Sequence, residues 1–371
     1  MQQVQFSTLP CMKGYKIGVI NLTNPSALNA LTLTMLQGIT HQLQEWLDDP
    51  LIVAVFLHTE NDKAFCAGGD VKAMYATASE PDALSQLTQY FETEYRCDYL
   101  LHRYPKPIVV WANGITMGGG VGLFMGASHR IVTPETRLAM PEITIGLYPD
   151  VGATWFLNRL PSGLGLFLGM TGAVLNATDC IDIQFAQACF NNADKHALLA
   201  ELQNQSWAAE ISDYQRIDDL LVSFMPATLP EAQLLPYFAR IQSACCAKNL
   251  SECIENLNAI PDADAWLNQA RNNLRQGSLI TAHVCFRQLR GYHTLSLEDA
   301  FRLELGLSVQ SVLKGDFIEG VRARLIDKTQ SPQWRFGQIE NVDMQLIDAL
   351  FEPPWQQNPL HNLGGIPGRY V

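Results

Sequence analysis

Apolar positions in the first 190 residues fall in short blocks cut by glycine and proline. Residues 15–22 alternate as a strand, and Asn24-Pro25 turns it. Residues 52–57 and 108–112 are continuous apolar runs rich in β-branched residues, as in buried strands. Residues 130–133 and 137–140 read as two more short strands. Helical spacing lies between them. Thr32 or Thr34 caps a helix running to about Trp46. Residues 81–102 carry Leu84, Leu87, Phe91, Tyr95 and Tyr99 at three- and four-residue intervals. Further helices are predicted from Val71 and over 152–160. The order is strand, strand, helix, not simple βα alternation. From 191 to 313 the pattern is helical and strand-like runs almost vanish. Residues 328–371, with Pro353-Pro354 and Gly364-Gly365, read as a loosely packed, wrapping tail. The pattern thus predicts a mixed α/β unit over 1–190, a helical part over 191–327 and a Pro/Gly-rich tail over 328–371.

Chemistry concentrates where strands break into glycine. The 108–112 run breaks at Asn113-Gly114, and Met117-Gly118-Gly119-Gly120 opens a helical pattern. Without a Cβ, glycine lets a ligand atom approach backbone N–H groups closely. The first N–H groups of a helix lack internal acceptors and carry partial positive charge. A second such junction follows 52–57, at Ala67-Gly68-Gly69-Asp70. One amide from each could hold a single oxygen that gains charge in a reaction. Two carboxylates follow in apolar surroundings, Glu142 after Pro141 and Asp150 after Tyr148-Pro149. Paired carboxylates in an apolar pocket push their pKa values apart, giving an acid and a base. Each feature also has a plain structural reading. The glycines could be packing turns, Glu142 a surface residue, and Asp150 the cap of the helix at 152.

Composition narrows the function. The 371 residues are 47% hydrophobic and 17% charged, enough apolar content for a sizeable core. A net charge of −12 argues against a nucleic-acid surface. Nine cysteines without a C-x-x-C pair favour neither a disulfide framework nor zinc, and fit a reducing compartment. The first residues show no signal-peptide pattern and no stretch approaches a membrane span, so a cytoplasmic location is expected. The histidines lack paired spacing. His58 ends a strand and His129 a helix, both structural readings. Cys66 lies inside the glycine loop but no histidine shares its motif. Cys245-Cys246 reads as helix core.

AFCAGGD at 64–70, ANGITMGGGVGL at 112–123 and AMPEITIGLYPDVG at 139–152 resemble the crotonase (enoyl-CoA hydratase/isomerase) superfamily. Within it they are most similar to the 3-hydroxyisobutyryl-CoA hydrolases, as are LNALTLTML at 28–36, FETEY at 91–95 and DFIEGVRARLIDKTQSPQW at 316–334. The resemblance implies an α/β spiral of ββα units with an α-helical C-terminal part. It places an oxyanion hole on the Gly69 and Gly119 amides, the principal carboxylate on Glu142 and its companion on Asp150. Ala67 and Glu94 fall on substrate-pocket positions, and Lys72 on a basic position near the CoA phosphates. Where hydratases of the family carry a second catalytic Glu, this chain has Gly122. It also has Gly152-Ala153-Thr154-Trp155 in a stretch where the hydrolases carry a further glycine. The implied activity is hydrolysis of a short β-hydroxyacyl-CoA such as 3-hydroxyisobutyryl-CoA, in valine degradation. No metal or redox cofactor is implied; CoA arrives as part of the substrate. A homo-oligomer is compatible with the resemblance. Two alternatives stay open, a hydratase or isomerase on the same scaffold and a non-catalytic acyl-CoA binding protein.

Overall fold

The computed structural model describes residues 3–208 and 211–364. The strands in chain order are β1 (Val4–Pro10), β2 (Lys16–Leu22), β3 (Ile52–Thr59), β4 (Ala64–Cys66), β5 (Ile108–Ala112), β6 (Ile115–Met117), β7 (His129–Val132), β8 (Arg137–Ala139) and β9 (Ala188–Cys189). One sheet runs β1-β2-β3-β5-β7-β9; a second runs β4-β6-β8. β1 and β2 pair antiparallel, and every other pairing is parallel. From β3 to β8 each strand of the large sheet is therefore followed by one of the small sheet. Helices α1 (Leu33–Asp48), α2 (Val71–Thr77), α3 (Ala83–His102), α4 (Gly119–Gly126) and α5 (Ala153–Phe156) complete the turns. This is a spiral of strand–strand–helix units with a helical C-terminal part.

The continuous apolar runs of β3 and β5 follow from cover on both faces. Side chains alternate across a strand. Val55, Leu57, Ile108 and Val110 face one cluster, shared with α1 and α3. Phe56, Val109 and Trp111 face another, closed by Leu198, Trp207 and Ile217 from the helical region. Both faces are buried, so apolar residues occupy both sets of positions. The first cluster also continues through Phe301 and Leu305 on the helix Leu297–Lys314, which packs along α3.

Several elements differ from the expectation. β1 adds a strand, Val4–Pro10, ahead of the elements the pattern predicts. β4 and β6 lie in stretches read as loops, because three residues give too few positions for a period. The 152–160 helix is a single turn, α5, followed by the 3-10 turn Leu157–Arg159. His129 opens β7 instead of ending a helix. The helix Leu164–Thr171 is buried all round, so it shows no amphipathic stripe. Within the tail, Met344–Phe351 is a helix burying Ile347 and Leu350, and Leu360 is fully buried. The Arg302 guanidinium donates to the Leu360 and Leu363 carbonyls at 3.1 and 2.8 Å. The described part of the tail is thus tied down; Gly365 lies outside the described residues.

Candidate active site

Two loops bring the glycine junctions together. Buried Asn29 donates to the Ala64 and Phe65 carbonyls at 3.1 and 3.0 Å, fixing β4. Leu31 N–H donates to Gly68 O at 2.8 Å and Asp70 N–H to Leu31 O at 3.0 Å, fixing the loop beyond it. Asp70 then caps α2 by accepting from Ala73 N–H. At the second junction Gly118 has φ +50 and ψ −124, a conformation closed to residues with a Cβ. It turns the chain so that α4 begins at Gly119.

The two junctions converge. A Cβ built on Gly119 would lie 3.3 Å from the Gly69 nitrogen and 2.5 Å from Glu94 Oε1. A Cβ on Gly69 would lie 3.5 Å from the same Glu94 oxygen. Neither amide has a partner among the turn, loop and cap hydrogen bonds of the described residues. Beside them is a cavity of about 170 Å³ lined by Ala67, Gly69, Gly119, Glu94, Glu142 and Asp150. Met74, Phe91, Leu147 and Leu325 add apolar wall. Six of the seven sequence candidates therefore share one cavity. Lys72 is the exception: it is exposed on α2, outside the lining.

The acids in the cavity are all buried. Glu142 opens a 3-10 turn after Pro141, and its Oε1 lies 3.0 Å from where a Gly118 Cβ would sit. Burial pushes its carboxyl well above the usual range, and the Asp150 charge adds to this. Glu94 behaves the same way for the same two causes. Burial also raises Asp150, but only to about 6, because the Tyr95 hydroxyl donates to Oδ2 at 2.7 Å and favours the charged form. Both members of the Glu142–Asp150 pair move upward, with burial the largest cause in each. Asp150 does not cap α5: the N-cap is Gly152, and Asp150 contributes its side chain to the cavity.

Residues that the motifs did not single out hold Asp150 in place. Tyr95 Oη also bonds Ser308 Oγ at 2.6 Å, which bonds Tyr148 Oη at 2.8 Å. The two Glu304 side-chain oxygens accept from the Gly152 and Thr154 amides at 2.7 and 2.8 Å. One signal was available. Glu304 and Ser308 interrupt the otherwise apolar stripe of Leu297, Phe301, Leu305 and Val312. Asp98, one turn after Glu94 on α3, is fully buried and neither carboxyl oxygen has a partner among the described residues.

Gly122 is enclosed. A Cβ there would lie 2.8 Å from Asp98 Oδ2 and 2.8 Å from Val151 Cβ. No space remains for a carboxylate side chain from this position. Gly122→Glu is accordingly expected to lower Tm by several degrees without adding water to an enoyl-CoA, since overpacking a core costs about 1–3 kcal/mol. Melting curves and loss of enone absorbance check it. Burial pushes the Cys66 thiol up to about 12, unsuited to a nucleophile near neutral pH. Among the described residues no group of three or more His, Cys, Asp or Glu is placed to hold a metal, and no helix is long and apolar enough to cross a membrane.

The ββα spiral, with its two glycine junctions side by side, is the crotonase fold. The chain belongs to the enoyl-CoA hydratase/isomerase family, whose sequence profile matches residues 17–351. A curated relative from Gallus gallus, named 3-hydroxyisobutyryl-CoA hydrolase, mitochondrial, is 37% identical over 330 residues, spanning 88% of this chain and 83% of its own. A solved enoyl-CoA hydratase from Rhodobacter sphaeroides superposes with TM-score 0.82 at 32% identity, over 95% of this chain and 98% of that one. A carnitinyl-CoA dehydratase from Mycobacterium thermoresistibile gives 0.85 at 30% identity, over 98% and 100%. The relatives' names differ in reaction, so the fold leaves the chemistry to the site. The mitochondrial location in the curated name also differs from the cytoplasmic expectation.

Proposed function

We propose that the protein hydrolyses a short β-hydroxyacyl-CoA thioester, with 3-hydroxyisobutyryl-CoA, the compound in its curated relative's name, as the first substrate to test. The observation that carries this reading is the closeness of Gly69 and Gly119, which line one cavity with Glu142 and Asp150 in its wall. The thioester oxygen accepts from the two amides, which strengthen as it gains charge in the tetrahedral intermediate. The proton that starts on Glu142 passes to Asp150. Ionised Glu142 then takes a proton from water, whose hydroxide attacks the acyl carbon, or attacks that carbon itself to form an anhydride that water opens. The C–S bond breaks, and Asp150 gives its proton to the departing sulfur. In the water route the cycle closes with the proton back on Glu142 and the charge back on Asp150. Lys72, exposed at the start of α2, is proposed to meet a CoA phosphate.

The enclosed Gly122 favours hydrolysis over hydration, because the small side keeps no place for a second acid from α4. The experiment is thiol release from purified protein with 3-hydroxyisobutyryl-CoA, beside hydration of crotonyl-CoA. Release without hydration is expected; hydration without release overturns the reading.

The pH profile tests the charge assignment. Asp150 titrates near 6, so kcat/KM should rise with pH through about 6 as the site acquires its negative charge. Tyr95→Phe removes a donor that favours that charge. Its acid limb is expected to move to higher pH, by about one unit for a lost hydrogen bond to a charged group. An unmoved limb across pH 4.5–8 would assign the titration elsewhere.

A further inference from the structure

The chain at 148–154 is held in a shape it would not adopt alone. Val151 has φ +53, a left-handed conformation in which a β-branched residue is an outlier, and Gly152 follows at φ +90. Such strain persists only where surrounding contacts over-determine it. Here the contacts come from the C-terminal helices. Glu304 Oε2 and Oε1 accept from Gly152 N–H and Thr154 N–H at 2.7 and 2.8 Å. Gln288 Nε2 donates to Pro149 O at 2.8 Å and to Thr154 Oγ1 at 2.7 Å. Tyr148 Oη donates to Glu304 O at 2.9 Å. One helical turn on, Ser308 Oγ lies 2.8 Å from Tyr148 Oη and 2.6 Å from Tyr95 Oη, and its hydroxyl donates to Tyr95, the donor to Asp150. Both the backbone that carries Asp150 and the hydroxyl that orients it thus trace to one face of the helix Leu297–Lys314.

A fully buried carboxyl is a costly choice for a mere packing contact. Glu304 is also raised to about 8 by burial, with the Asp150 charge adding to the effect. The titratable groups facing it are Tyr148 and Asp150 from the turn, and Tyr95 and Asp98 from α3. A leucine there would pack as well and leave two buried amides unpaired. What the acid adds is a fork of two oxygens that grips two amides on either side of Ala153.

We propose that Glu304 is a positioning residue for the reaction: by clamping the Gly152 and Thr154 amides it holds the left-handed Val151 turn that aims Asp150 into the cavity, with Ser308 supporting the same carboxylate through Tyr95. The proposal rests on the hydrolase reading and on Asp150 working in it. The helical C-terminal part is then a component of the active site although it places almost no side chain in the cavity.

The test is a double-variant cycle on full-length protein, with thiol release from 3-hydroxyisobutyryl-CoA as the assay. Glu304→Gln keeps the shape but turns an amide donor towards a backbone donor. It is expected to lower kcat 10- to 100-fold with KM changed less than threefold, and to move the acid limb of kcat/KM to higher pH as the Tyr95–Asp150 bond loosens. In an Asp150→Asn background the same substitution should cost less than threefold, because its effect passes through Asp150. Equal losses in both backgrounds, or an acid limb that stays or moves to lower pH, overturn the proposal. If Asp150→Asn alone retains full activity, the hydrolase mechanism falls and the clamp with it; if Asp150→Asn is impaired and Glu304→Gln is not, only the clamp falls. Should Glu304→Gln not fold, Ser308→Ala decides: the same upward move of the acid limb supports the proposal, and an unchanged profile rejects it.

Discussion

Replacing Glu142 by Gln is expected to lower thiol release by about 10²–10⁴-fold, the usual contribution of a positioned acid or base. The side chain keeps its shape, so the loss reports chemistry, not packing. The same variant should gain stability near neutral pH. Burial and the Asp150 charge hold the Glu142 carboxyl well above its ordinary value, so the folded site keeps a proton that the unfolded chain releases. A carboxyl raised on folding contributes stability fully present below its unfolded pKa, near 4.5, and lost as pH rises towards its folded value. Gln does not titrate, so the variant's Tm should fall less between pH 5 and 8 than that of the parent. Activity and Tm measured on one preparation across that range check both halves. Near-full activity would remove Glu142 from the mechanism, whatever the melting curves show. Hydroxylamine trapping during turnover separates the two routes, since only an anhydride would leave a hydroxamate on Glu142.

Glycine junctions and the residues around them are local features, and Gly69, Gly119, Glu142 and Asp150 are each readable beside their own turn. Their meeting in one cavity is a tertiary fact, reached through the family resemblance and borne by the spiral in which β4 and β6 pair as neighbours. Those two strands were unreadable for a physical reason: three residues cannot display a period, and parallel partners lie far along the chain. Buried runs such as β3 and β5 announced themselves because both faces are covered. Glu304 is the opposite case. Its partners, Gly152 and Thr154, lie some 150 positions away, and nothing at 304 beyond an acid on an apolar stripe marks it. The helix at Met344–Phe351 was masked by the prolines and glycines around it, which describe how the tail starts and stops but not what its middle does.

Gly119→Ala should have the second-largest effect, and for a reason distinct from Glu142. Position 119 is the first residue of α4, where alanine is a better helix former than glycine, so local propensity favours the variant. The added methyl, however, would project to 3.3 Å from the Gly69 nitrogen and 2.5 Å from Glu94 Oε1. It would crowd an oxygen held by the Gly69 amide. Glu94 can swing aside, because a side-chain terminus moves cheaply; the Gly69 amide cannot, since flanking hydrogen bonds to Leu31 fix its loop. Losing one preorganised donor typically costs about 10²–10³ in kcat, or about 2.7–4 kcal/mol of barrier. A methyl this close to the Gly69 nitrogen is expected to reach the upper part of that range. Ground-state binding of the CoA portion lies outside the hole, so KM should change far less than kcat. Steady-state kinetics on Gly119→Ala, with binding of free CoA followed by calorimetry, give the two quantities separately. A variant that binds CoA normally and turns over at the parent rate would show that these amides do not hold the reacting oxygen, and the hydrolase mechanism would lose its main source of transition-state stabilisation.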